Sequence, residues 1–229
     1  MMSPAKQSKR ERDAEATRQA ILDAAEKIFA EHGFDGARVD AIAAESGYNK
    51  SLLFQHFDNK LNLYIEVLKR SDKELNDVQA QVFAPWLEDE TIVTDPYRLK
   101  PFLESIAASL FDYLVEHPRL MRMLLWEMAE GWQTYTKIIS QFETEDLGMF
   151  ERLLRKAHGA GLLRSDFAPV IQLTMFVQIC QSYLAFIPLY QMFVKDEDLS
   201  SDASLARARK YIVDLLVAGM MKDFPETKP

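Results

Sequence analysis

The chain has 229 residues, is 48% hydrophobic and carries a net charge of −8, enough apolar material for one large domain or for a small domain followed by a larger one. Its single cysteine, Cys180, excludes an intrachain disulfide, and Met1-Met2-Ser3-Pro4-Ala5-Lys6 leads into charged residues instead of an apolar signal core; a cytoplasmic protein is expected. Only eight glycines and nine prolines, against abundant Ala, Leu, Glu, Lys and Met, predict an all-α protein.

Residues 1–60 hold nine Lys/Arg against ten Asp/Glu, and residues 61–229 hold 18 against 25, so the acidity sits in the C-terminal part. Residues 1–13 are expected to be a flexible basic arm, and within its first twelve residues Lys6, Lys9, Arg10 and Arg12 face only Glu11. Such an arm either reaches DNA or is simply a solvated terminus. From about Glu15 to His32, Ile21, Leu22, Ala25, Ile28 and Phe29 recur at helical spacing, with Gly33 just beyond. A short helix is expected over Val39–Ser46, stopped by Gly47, and another over Lys50–His56. Asp58 is placed to cap a fourth helix bearing Leu61, Tyr64, Ile65, Val67 and Leu68. The compact N-terminal unit thus covers residues 14–74.

Residues 75–229 are expected to form a second, helical domain. Residues 88–96 read as a loop, and Pro101 suits the first turn of a helix reaching Glu116. Helices are expected over Pro118–Gly131 and Tyr135–His158, then a turn at 159–166 with Asp166 as a cap. Residues 167–194 contain no charged side chain over 28 positions, a length that spans a bilayer. Four glutamines, Pro169 and Pro188 argue instead for a helix buried on two sides. With the last helix, about Ala203 to Met221, it forms a candidate homodimer interface carrying Phe176, Tyr183, Ile187, Tyr211, Leu215 and Leu216; the competing reading has both helices completing a monomeric core.

Function is carried by residues 37–56. A helix-turn-helix needs a small residue where its helices approach and a tight turn between them; Ala43 and Gly47 meet these demands. Arg38, Tyr48, Asn49, Lys50, Ser51, Leu52, Phe54, Gln55, His56 and Lys60 are the candidate DNA-binding residues, a set rich in groups that bond to bases or phosphates. No enzyme constellation has the required form: no histidine has a Glu three residues before it, no cysteine pair exists for zinc, and no Gly-x-Ser-x-Gly occurs. No catalysis, metal or cofactor is expected.

The run Ala30-Glu31-His32-Gly33-Phe34, Val39 through Ile42-Ala43, Gly47, Leu53-Phe54-Gln55-His56-Phe57 and Asn59-Lys60 resembles the tetracycline-repressor (TetR) family of bacterial regulators. The resemblance implies an all-helical homodimer that represses transcription from a palindromic DNA operator and lets go when a small molecule occupies its C-terminal domain. It places Lys50, Ser51 and Leu52 at bases and His56 and Lys60 near phosphates. The chain departs from the family in Phe54, where tyrosine is common, in Arg38, where threonine is usual, and in the large Tyr48. Phe111, Met123, Trp126, Glu127, Trp132, Phe142, Phe176, Gln178 and Tyr183 are the candidate lining of a pocket for an apolar or aromatic effector, since rings and methionines line adaptable cavities. A C-terminal domain that answers to a protein partner, or to nothing, is the alternative.

Overall fold

The protein is described by a computed structural model covering residues 4–87, 90–141, 145–164 and 168–223. The described residues form ten α-helices and two short 3-10 turns, with no strand. They divide into two compact units: Met1–Lys73 with Pro118–Phe142, and Glu74–His117 with Glu143–Pro229. In this division residues 118–142, expected within the helical domain of residues 75–229, group with the N-terminal helices.

In the first unit, α1 (Pro4–Gly36) starts inside the stretch expected to be a flexible arm. Ala, Lys, Gln, Arg and Glu are strong helix formers, so the helix propagates back from the amphipathic segment through residues 4–13. Its apolar stripe is as read: Ile21, Leu22, Ala25, Ile28 and Phe29 are buried. Gly33 breaks the helix with φ 68° and ψ 179°. Helices α2 (Val39–Ser46) and α3 (Lys50–Phe57) fall at the expected positions. Asp58 does not cap the next helix. It takes φ 60° as the C-cap of α3, and Asn59 does the capping, its Oδ1 accepting the Asn62 N–H at 2.9 Å. Helix α4 (Lys60–Leu87) buries Leu63, Tyr64, Ile65, Val67 and Leu68, and the division between units falls within it, after Lys73.

Helix α6 (Pro118–Ala129) is fastened to α1 by polar contacts. The Arg122 Nε–H and the Trp126 Nε1–H both donate to the Ala30 carbonyl at 3.2 Å, supplying partners for a carbonyl that the break at Gly33 leaves at a helix end. Glu127, 1% exposed, accepts from the Tyr64 hydroxyl at 2.8 Å and the Tyr135 N–H at 2.9 Å. Burial and that carboxylate push the Tyr64 hydroxyl pKa upward, which keeps it a donor. The expected helix over 135–158 is interrupted: α7 (Tyr135–Ile138) runs into a 3-10 turn (Ile139–Gln141), and helix resumes as α8 (Glu145–Gly159).

The core of the second unit is built on α5 (Pro96–Glu116). Asp95 caps it through the Tyr97 N–H at 2.9 Å and Pro96 occupies its first turn, so the helix begins before Pro101, which lies inside it. Leu99, Phe102, Leu103, Ile106, Leu110, Phe111 and Leu114 form one buried cluster with Leu154 and Ala157 of α8, Phe176 and Cys180 of α9 (Pro169–Tyr190), and Ile212, Val213, Val217 and Met220 of α10 (Asp202–Met220). At about 25 cal/mol per Å² of apolar area, burial on this scale is the main stabilising term. Arg209 ties α10 to α5 by two 2.7 Å bonds to the Asp112 carboxylate. Asp166 lies outside the described residues. Among the described residues no helix is long and apolar enough to cross a membrane.

Candidate nucleic-acid interface and effector unit

Helix α3 is set by its two ends. Gly47 closes α2 at φ 75° and ψ 9°, a left-handed conformation that costs other residues about 1 kcal/mol or more. A Cβ there would meet nothing within 4 Å, so conformation, not space, calls for glycine. Asn49 then starts α3, its Oδ1 accepting the Leu52 N–H at 2.9 Å. This is a cap that the sequence reading missed by treating Asn49 only as a DNA contact, although an Asn just before a helix is the usual sign of one.

Leu53 and Phe57 turn inward and are buried, as is Ile42 of α2. Arg18 of α1 lies 5.4 Å over the Phe57 ring and pairs with Glu66 of α4. The opposite face of α3 is left open: Lys50, Ser51, Phe54 and Gln55 are exposed, and Leu52 and His56 are half-buried. Phe54 keeps 41% of its surface exposed, an apolar ring on an otherwise polar face, suited to a thymine methyl. The Lys50 ammonium is 2.7 Å from an Asp40 carboxylate oxygen in the first turn of α2. Arg38 is exposed ahead of α2, and its side chain caps nothing.

Three of the candidates are turned partly toward the protein. The Tyr48 hydroxyl lies 3.5 Å from the Thr17 hydroxyl of α1, and the His56 ring is 6.0 Å from that of Phe57. Lys60 donates to the Asp35 carbonyl at 3.3 Å and sits 4.6 Å over the Phe34 ring. Burial lowers its pKa against the pull of Asp35 and Glu130.

The candidate pocket lining divides between the units. Met123, Trp126, Glu127 and Trp132 belong to the first unit, where Trp126 and Glu127 make the fastening contacts described above and Trp132 stands edge-on to Tyr135 at 5.6 Å. These four thus pack within the first unit. Phe111 and Phe176 are buried in the second core, Tyr183 is 6.5 Å from the Phe111 ring, and Gln178 is exposed. Phe142 lies outside the described residues. Gln181, 3% exposed, has an Nε2 with no hydrogen-bond partner among the described residues. Burial raises the neighbouring Cys180 thiol to about 12, so it stays protonated and unreactive.

The interface candidates also sort by exposure. Phe176 is 1% exposed in its own core and has no surface to offer a partner. Tyr183 and Leu216 pack against that core and Ile187 is half-buried, whereas Tyr211 and Leu215 are open. The outward stripe of α9 consists of Ile171, Met175, Ile179, Phe186, Leu189 and Tyr190, none of which the sequence reading selected. A helix apolar all round carries no phase from which to select them.

Residues 21–67 match the family model described as bacterial regulatory proteins, tetR family, and residues 102–216 match that of a tetracyclin repressor-like C-terminal domain. The HTH-type transcriptional repressor SCO4008 of Streptomyces coelicolor is 30% identical over 89% of this chain and 98% of its own. The HTH-type transcriptional repressor NicS of Pseudomonas putida is 25% identical over 96% and 100%. In the crystal structure of the transcriptional regulator SCO4942 from Streptomyces coelicolor, 98% of that chain superposes on 89% of this one, with a TM-score of 0.61 and 27% identity.

Proposed function

The chain belongs to the tetR family of bacterial regulatory proteins, and from that premise we propose that this DNA-binding regulator is a cytoplasmic homodimeric repressor, released from a palindromic operator by a small apolar ligand. The observation that carries DNA binding is the open face of α3, whose inward side chains are locked while Lys50, Ser51, Phe54 and Gln55 project. In this reading α3 enters the major groove, Lys50 donates to guanine or phosphate after leaving Asp40, and Arg38 and Lys60 meet phosphates. Tyr48, Asn49, Leu52 and His56 support the edges of that contact. No reaction is catalysed.

Gln181 supports the effector. A buried amide without a partner costs about 1–3 kcal/mol, and a ligand whose carbonyl or carboxylate oxygen accepts from Nε2 recovers it. The rings of Phe111, Phe176 and Tyr183, in or against the core of the same unit, would suit the apolar part of such a molecule. A ligand acts on DNA affinity only by binding the released state more tightly.

Selecting bound fragments from the source genome at 100 mM salt tests the first claim: an inverted repeat is expected, and Lys50→Ala is expected to relax preference at one base pair of each half-site. Unchanged affinity and preference in Lys50→Ala would remove α3 from the groove. The effector is tested by thermal unfolding against a panel of hydrophobic carboxylates and amides. A compound that raises the melting point of the wild type and not of Gln181→Leu is expected; equal rises in both would remove Gln181 from the site.

A further inference from the structure

Arg38 and Lys50 are both exposed cations of the helix-turn-helix, yet they are held differently. Arg38 makes no ion pair among the described residues. Lys50, the first residue of α3, has its ammonium 2.7 Å from a carboxylate oxygen of Asp40 in the first turn of α2. Residues two apart at a helix start do not face each other, so the acid serves the lysine across the turn and not its near neighbour Arg38. The pair lies open to an approaching duplex: the Asp40 side chain is 75% exposed and that of Lys50 48%. Asp40 also occupies the positive end of α2, where the field of the helix would otherwise draw a phosphate.

We propose that Asp40 is a specificity-determining residue: by pairing with Lys50 it opposes the lysine's contact to phosphate more than its contact to a base. The inference rests on the reading of Lys50 as a DNA contact. A phosphate oxygen is an anion, and taking Lys50 from Asp40 brings it beside a carboxylate that has lost its cation. Guanine O6 and N7 are uncharged acceptors and meet no such repulsion. An ammonium has three donors on a flexible stem, so without Asp40 it turns to whichever phosphate is nearest. Phosphate contacts carry no sequence information. A carboxylate that weakens them relative to base contacts therefore raises the ratio of operator to non-specific binding, the quantity that decides whether an operator is found among competing sites.

The test is a double-mutant cycle on the whole protein, with wild type, Asp40→Asn, Lys50→Met and the double variant. Fluorescence anisotropy at fixed salt gives the affinities for two duplexes of equal length, the source-genome fragment that the wild type binds best and a random sequence. The readout is the ratio of the two affinities, which loss of folded protein does not move because it lowers both alike. Asp40→Asn is expected to tighten the random duplex about two- to fivefold, the range set by an exposed ion pair, and the selected duplex by less, so that the ratio falls about twofold. In the Lys50→Met background the same substitution is expected to leave the ratio unchanged. An unchanged or higher ratio for Asp40→Asn in the wild-type background would overturn the proposal. An equal fall in both backgrounds would overturn it as well, since Asp40 would then act without Lys50. Lys50→Met indistinguishable from wild type on both duplexes would instead overturn the reading of Lys50 beneath it, a failure told apart by that single variant.

Discussion

Gly33 is used twice by the same few atoms. Its φ of 68° ends the regular part of α1, and a Cβ placed on it would lie 3.1 Å from the Trp126 ring and 3.2 Å from a Glu130 oxygen. Positive φ alone costs an alanine about 1–2 kcal/mol, and the ring would have to yield as well. Gly33→Ala is therefore expected to destabilise the protein by about 2–3 kcal/mol, measured by urea unfolding. Gly36 is the internal control. It has no positive φ, and its nearest neighbour would be the His32 Cβ at an ordinary 3.5 Å, so Gly36→Ala is expected to be neutral or to stabilise by up to about 1 kcal/mol. Similar losses from both substitutions would mean that the α1–α6 approach is looser than the close contact implies.

At the scale of the element, the recognition helix owes its start to Asn49 and its tilt to Leu53 and Phe57. Asn49→Ala removes the cap and is expected to cost about 1 kcal/mol of stability, along with some DNA affinity. Asn49→Ser keeps a short side-chain acceptor for the Leu52 N–H and is expected to restore both to within about twofold of wild type. If Asn49→Ser restored stability and not DNA binding, the side chain would have to touch DNA as well as the helix. The helix-turn-helix was legible in the sequence because local signals agree there: Gly47 stops one helix, a small Ala43 lies between, and Ile42, Leu53 and Phe57 share one face. The packing partner of α6 was not legible. Leu120, Met121 and Met123 say that α6 buries a face, yet periodicity does not say against which partner, and Ala30 and Tyr64 are far away in sequence. For the same reason the pattern does not separate packing from pocket lining at the aromatic residues 126 and 132. The capping choice between Asp58 and Asn59 was equally open in sequence, since both side chains accept; only the backbone geometry separates them.

The molecule as a whole poses a question of charge and of exposed apolar surface. A protein of net charge −8 approaches a polyanion only if its cations are concentrated where it touches, so binding is expected to weaken steeply with salt. Two copies of α3 on one operator double the number of such contacts at no cost in net sequence, which makes assembly part of DNA affinity. The face we propose for assembly is on α9 and α10. Six large apolar side chains of α9 are exposed, as are Tyr211 (69%) and Leu215 (50%) on α10, and exposed apolar surface of this amount is a sign of an interaction site. A two-fold axis through such a face buries it against itself and leaves no open edge for further addition. Sedimentation is accordingly expected to give twice the 26.4 kDa of the chain. Introducing paired carboxylates with Tyr211→Glu and Leu215→Glu places like charges across that axis and is expected to give a monomer with unchanged helix content. The monomer should still bind a half-site, with the logarithmic salt slope falling to about half that of the dimer on a full operator. A variant that stayed dimeric would move the interface off α10. A monomeric wild type at micromolar concentration would leave the exposed stripe of α9 to another partner, and with it the two-helix grip on a palindromic operator would fail.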